Sequence, residues 1–231
     1  MLFRSQFDSL PSPAVVSGDS LRDSVGRAAP LRAIAINGAG TPVVDAAIQY
    51  IALDTGITIG AGGYVTAQAR SGSPRIVASA GGLQTKPMPL IITRRPDTVT
   101  VTGKARDTLS YVVPDVAASN TSASLSLKVV TRDTAGAVTV TKGWLVSYQL
   151  FHDGAAVAAT DTTVASLVAD DGARSTLDTT GTEGVASRKV RVRPLGIRAN
   201  PDSVVVLATV RYRGTAVRGT PARFVILLRP K

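Results

Sequence analysis

The chain has 231 residues, enough for one or two domains with a real hydrophobic core, so disorder is excluded as a description of the whole. Apolar residues make up 44% but aromatics only 4%, so Val, Ile, Leu and Ala must fill that core, a mixture that favours strands. With no cysteine and one histidine there is no disulfide framework, no thiolate nucleophile and no thiolate metal site, and the formal charge of +10 is the one extreme feature left.

No run of residues approaches the roughly 18 consecutive apolar positions that a membrane-spanning helix requires. The opening "MLFRSQFDSLPSPAVVSG" lacks an apolar h-region and does not read as a secretory signal. Residues 1–13 carry few structure signals and read as an N-terminal tail.

From there the chain reads as repeated short strands. In the first half they are "LRAIAI" (31–36), "AAIQYIAL" (46–53), "GYVTAQA" (63–69), "RIVASAG" (75–81) and "PLIIT" (89–93), separated by turn-formers such as "NGAGTP", "DTG" and "SGSP". In the second half they are "DTVTVTG" (97–103), "SLSLKVVTRD" (124–133), "GWLVSYQLF" (143–151), "TVASLVA" (163–169), "ARSTLD" (173–178), "ASRKVRVRP" (186–194), "SVVVLATVRYR" (203–213) and "ARFVILL" (222–228). Many short strands at this spacing, with no helical period between them, predict sandwiches rather than alternating α/β units. "ITRRPDTVTV" around residue 95 is the domain boundary, giving units 14–95 and 96–231. The halves read as imperfect copies: "GTPVVDAAIQY" aligns with "GAVTVTKGWLVSY", and 62–79 parallels 172–192.

The charge is not spread evenly. Residues 1–187 hold 15 basic and 15 acidic side chains, whereas 188–231 hold 11 basic ones and a single acid, Asp202. Side chains two apart on a strand share a face, so Lys189, Arg191 and Arg193 form one basic stripe opposite Val190 and Val192. Arg211 and Arg213 form a second stripe opposite Val210 and Tyr212. The expected use of Lys189, Arg191, Arg193, Arg211 and Arg213 is docking, on an acidic protein surface or on anionic lipid headgroups. Nucleic acid is disfavoured, because the stripes lack interleaved aromatics for base stacking and no recognition helix is present. Arg outnumbers Lys 20 to 6, which suits paired recognition of carboxylates or phosphates.

Catalytic and metal chemistry find little. His152, in "QLFHDGAA", reads as a solvated histidine at a strand end, with Asp153 pointing elsewhere on an extended chain. Asp161, Asp170 and Asp171 are the best calcium cluster, but they lack the alternating ligand spacing of a dedicated loop, and turn formation explains Asp171. "GAGGYV" (60–65) is followed by neither a helix nor a Lys-Ser/Thr pair, so it does not cradle phosphate. Trp144 and Tyr148, four apart on one strand, read as core. No cofactor, metal site or catalytic residue is expected.

On "NGAGTPVVDAAIQY", the turn-strand "GGYVTA" and the strand "PRIVASAGG", residues 14–93 resemble the bacterial immunoglobulin-like domains of the invasin and intimin type, found as repeats in cell-envelope proteins. The second half departs more, with longer loops and a basic end. The resemblance implies two tandem immunoglobulin-like β-sandwiches, an extracytoplasmic setting and a role by contact, and it brings no catalytic residues. Two functions follow as expectations. One is an accessory subunit docking on a larger membrane-associated complex, such as a respiratory or photosynthetic one, through the basic face. The other is an adhesin or surface-layer fragment of a longer repeat protein; an enzyme at His152 is the third class.

Overall fold

The computed structural model describes residues 2–197 and 202–231. Those residues are all-β apart from two single turns of 3-10 helix, Ala61–Gly63 and Pro194–Gly196. The chain divides into two compact units: Met1–Arg95 with the short segments Thr141–Trp144 and Tyr212–Thr215, and Pro96–Val140 with Leu145–Arg211 and Ala216–Lys231.

The first unit carries β1 (Leu2–Ser9), β2 (Ala14–Val16), β3 (Arg32–Asn37), β4 (Gln49–Ala52), β5 (Ile57–Ile59), β6 (Val65–Ala67), β7 (Arg75–Ala80), β8 (Leu83–Gln84), β9 (Met88–Pro89) and β10 (Ile91–Thr93). β1 pairs antiparallel with β3, and β4, β8 and β9 all pair with β7. β2 runs parallel to β10, with Ala14 opposite Ile91 and Val16 opposite Thr93. The core is aliphatic, as composition requires: Val15, Leu21, Leu31, Val65, Ile76 and Leu90 are buried together. The Tyr50 hydroxyl fastens the end of this core, donating to the Leu31 carbonyl at 3.0 Å and accepting from the Ala33 N–H at 3.1 Å. Gly63 makes room for that ring: its φ is +83°, and a Cβ there would stand 2.9 Å from Tyr50 Cε2.

The second unit carries β11 (Thr98–Val101), β12 (Arg106–Tyr111), β13 (Leu125–Arg132), β14 (Val138–Val140), β15 (Leu145–His152), β16 (Ala155–Ala156), β17 (Ala165–Val168), β18 (Leu177–Thr179), β19 (Val185–Val192), β20 (Asp202–Thr209), β21 (Arg211–Tyr212), β22 (Thr215–Ala216) and β23 (Ala222–Pro230). Some of the β21–β22 hairpin counts with the first unit. One sheet has the order β11-β13-β19-β17, with β14 beside β13. The other has the order β12-β23-β20-β15, continued by β16 and β18.

In chain order this is the arrangement of an immunoglobulin-like sandwich, with the first strand split between the two sheets as β11 and β12. Strict alternation builds its interior. Leu125, Leu127 and Val129 of β13, Val146, Tyr148 and Leu150 of β15, Val204 and Val206 of β20, and Phe224, Ile226 and Leu228 of β23 are all buried. Each such side chain contributes about 1.5–3 kcal/mol by leaving water.

Several expectations are altered. Residues 1–13 are not a bare tail, since β1 is paired along its length with β3. β12 carries no strong strand signature in "RDTLSY", yet it pairs in parallel with β23 over six positions. Trp144 precedes β15 instead of sharing it with Tyr148, and packs at 6.1 Å between ring centroids from Tyr212. The alignment of 62–79 with 172–192 is not mirrored in the pairing: β7 pairs with β4, whereas β19 pairs with β13 and β17. Arg198, the last cation of the basic run, lies outside the described residues.

Candidate functional site

The basic stripe of β19 is the first candidate. Val190 and Val192 face the core, fully buried, as alternation predicts. The opposite face borders an open hollow of about 580 Å³, but its cations are held by carboxylates. Residues 120–122 run beside the second half of β19: Ser122 N–H donates to the Val190 carbonyl, Val190 N–H donates to Ser122 Oγ, and Val192 N–H donates to the Asn120 carbonyl. This connection carries Asp115 to the stripe. Arg191 donates to Asp115 Oδ1, and Arg193 donates to Asp115 Oδ2 at 2.8 Å. The Asn120 amide also donates to Asp115, at 2.9 Å, while its own carbonyl accepts from Val112 N–H.

Arg191 is consequently 7% exposed. The Asn120 amide first, with the Arg193 and Arg191 guanidiniums, outweighs partial burial and holds the Asp115 carboxyl down to about 2. Lys189 pairs with Asp170 at 2.9 Å. Its neighbour Arg188 is buried on the other face and is neutralised by Asp178 at 3.0 Å, with further donation to the carbonyls of Ser175, Leu177 and Ser187.

Arg211 is exposed at the rim of an open hollow of about 730 Å³ with Ser147, Gln149 and Thr209. Tyr148 also lines this hollow, and its hydroxyl is buried with no hydrogen-bond partner. Burial raises its pKa well above the usual tyrosine value. Arg213 belongs instead to the first unit, where it and Arg22 share Asp19. Arg22 binds that carboxylate at 2.7 and 2.8 Å, Arg213 at 3.2 and 3.3 Å, and both guanidiniums lie within 6 Å of the Tyr212 ring centre, at 5.8 and 5.4 Å. Burial pushes Asp19 upward, but the bonds from Arg22, Arg213 and the Ser20 N–H overcome it, and the carboxyl ends well below its usual range.

The structure therefore joins Arg191 with Arg193 and leaves Lys189, Arg211 and Arg213 on other partners. Asp115, Asn120 and Asp19 escaped sequence reasoning. The available signal was a shortage: four cations in 186–194 with only Asp202 as an acid after residue 187 must draw most of their carboxylates from earlier in the chain.

The carboxylates considered for calcium serve as turn acceptors. Asp161 accepts from both the N–H and the hydroxyl of Thr163, Asp171 accepts from the Ala173 N–H, and Asp170 holds Lys189. His152 departs from its expected role. It ends β15 on the core-facing side, opposite Val204, so Asp202, two residues before Val204, shares its face. Nε2 of His152 lies 2.9 Å from Asp202 Oδ2, and Asp202 is buried. Among the described residues, His152, Asp153 and Asp202 are the one trio of metal-binding side chains whose ligand atoms lie within 4.8 Å of one another. They border an open hollow of about 580 Å³ with Thr163, Val164, Leu195 and Gly196.

No family model matches the chain, and no curated protein does. Among solved structures it is similar to the adhesin InvE of Yersinia pseudotuberculosis, at 13% identity and a TM-score of 0.36, covering 97% of this chain and 58% of that one. It is similar to domains 4 and 5 of the S-layer protein SbsC, at 12% identity and a TM-score of 0.32, covering 99% and 98%. A third is the Escherichia coli adhesin FdeC, at 14% identity and a TM-score of 0.31, covering 98% and 65%. Likenesses this distant say nothing of function. No helix among the described residues is long and apolar enough to cross a membrane.

Proposed function

We propose that this chain is a non-catalytic structural link of a bacterial cell-surface protein, one stretch of an immunoglobulin-like array of the adhesin or surface-layer kind. The observation that carries this reading is the parallel pairing of β12 with β23, from Arg106 opposite Val225 to Tyr111 opposite Pro230. Thr98, where the chain enters the second unit, bridges Arg218, just before β23 begins. The far end of β23, nine residues and about 30 Å away, lies at the opposite pole. A module held at these two poles transmits tension along its strands, and the β12–β23 hydrogen bonds are then loaded together in shear. The first unit has the same device in miniature, β2 parallel to β10.

The accessory-subunit reading rests on a free basic face at Lys189, Arg191, Arg193, Arg211 and Arg213. It has less support now that Asp115 and Asp170 occupy the β19 stripe. Docking on an acidic subunit or anionic lipid would have to displace those carboxylates.

Single-molecule pulling tests the proposal, and a chain without cysteine accepts attachment thiols cleanly. Force applied to the second unit between residues 97 and 231 is expected to require several-fold more than force applied between residues 153 and 231, which peels strands one at a time. Equal forces in the two geometries would overturn the reading as a tension-bearing link. Antibody labelling of intact cells checks the location, with a wholly intracellular signal counting against it.

A further inference from the structure

We propose that His152 and Asp153 form a chelating site for a divalent transition ion of the zinc or nickel class, at the pole of the second unit, with Asp202 as the group that orients the imidazole. The argument begins with Asp202. Its Oδ1 accepts the Ser203 N–H at 2.6 Å, which fixes the carboxylate, and its Oδ2 faces His152 Nε2 at 2.9 Å. A carboxylate oxygen accepts, so Nε2 donates to it, and in the neutral imidazole this leaves the lone pair on Nδ1. That lone pair faces Asp153: Nδ1 and Asp153 Oδ2 are 3.7 Å apart.

In the neutral ring two acceptors are turned toward each other at this distance, an arrangement that a cation between them, a metal ion or the proton of the imidazolium, stabilises. The separation is too long for a direct hydrogen bond and close to the span between neighbouring ligands on an ion with bonds of about 2.0–2.2 Å. A histidine that binds metal through one nitrogen and donates its other N–H to a carboxylate is the usual arrangement of such sites, because the outer carboxylate fixes the tautomer and raises the basicity of the ligand. The backbone supports it. Asp153 has a φ of +49° and is followed by Gly154 at +77°, so the chain reverses directly after β15 and turns the Asp153 side chain back beside the ring. His152 is half-buried while Asp153 is largely exposed, so the imidazole is held and the carboxylate is free to close on an ion, with water completing the coordination. Imidazole with carboxylate selects zinc, nickel or copper over calcium, which takes oxygen donors alone.

His152 is the only histidine in the chain, so its ring nitrogens are readable without assignment by nitrogen-15 NMR on the untagged full-length protein. In the absence of metal the neutral ring is expected to show the spectrum of the Nε2–H form. Zinc chloride added to micromolar and then submillimolar levels is expected to move the Nδ1 resonance, saturating at one equivalent, while Nε2 keeps its proton. Asp153→Asn, a change at an exposed side chain, is expected to weaken zinc about tenfold, and Asp202→Asn by about 10–100-fold with partial loss of the single tautomer. An Nδ1 resonance that does not respond to millimolar zinc overturns the proposal. So does a response at Nε2, or zinc affinity unchanged by Asp153→Asn.

Discussion

Arg191 and Asp115 form an ion pair in which the cation is buried and the anion sits at the rim, 9% and 31% exposed by side chain. Removing the anion leaves a largely buried guanidinium without its carboxylate. Asp115→Ala is therefore expected to cost about 2 kcal/mol, between the value of a surface pair and that of a fully buried one. Arg193→Ala, which leaves Arg191 still paired, should cost under about 1 kcal/mol. Urea unfolding of the two variants checks the order, and equal losses would mean that the pair is not what holds Arg191.

The same carboxylates set the response to acid. Asp115 is held down to about 2 by Asn120, Arg193 and Arg191, Asp54 to about 2 by Arg75, and Asp19 is also lowered. In the unfolded chain these groups titrate near 3.9. Because the folded values are the lower ones, their contribution is complete above about pH 4 and is lost as pH falls from there through about 2. The urea midpoint should accordingly be flat above pH 5 as far as these groups go, and drop between pH 4 and 2. In Asp115→Asn, measured relative to its own value at pH 7, the drop should be smaller; an unchanged drop would remove Asp115 from the account.

Alternation in the sequence made most of the second unit legible. Val190 and Val192 face inward, as do Val204, Val206, Phe224 and Ile226. Period two tells which side of a strand a residue is on, but not what lies against that side. The cover over Arg191 comes from an irregular connection 76 residues earlier in sequence, which has no period to read. β12 was missed for a related reason: at a sheet edge, with Arg106, Thr108 and Ser110 turned outward, only Leu109 and Tyr111 are buried, too few to signal a strand. His152 was placed at its strand end, but Asp202 lies 50 residues away, and only the β15–β20 register brings the two together.

Two glycines with positive φ separate close approach from backbone preference. Gly219 has a φ of +87°, and a Cβ there would lie 2.2 Å from the Val99 carbonyl oxygen, a backbone atom in the β11 strand. Gly172 has a φ of +83° with nothing within 4 Å of the same position. Gly172→Ala should cost about 1–2 kcal/mol, the left-handed penalty alone. Gly219→Ala must also move β11 and should cost distinctly more, over about 3 kcal/mol. Thermal unfolding of both ranks them, and a Gly219 variant as stable as the Gly172 variant would show that β11 yields without strain.

Tyr148 offers the opposite case, a polar atom that the fold can do without. Its ring is 2% exposed between Val146 and Leu150 on the inward face of β15, and its hydroxyl has no partner among the described residues. Burying a hydroxyl without a hydrogen bond costs about 1–3 kcal/mol, and removing the oxygen while keeping the ring recovers some of that without opening a cavity large enough to matter. Tyr148→Phe should therefore leave the urea midpoint unchanged or raise stability by up to about 1 kcal/mol. Tyr148→Ala, which deletes the ring, should cost about 3–5 kcal/mol as other large-to-small core changes do. A loss of more than 1 kcal/mol in Tyr148→Phe would mean that the hydroxyl is bonded after all, through the hollow that Ser147, Gln149 and Arg211 border.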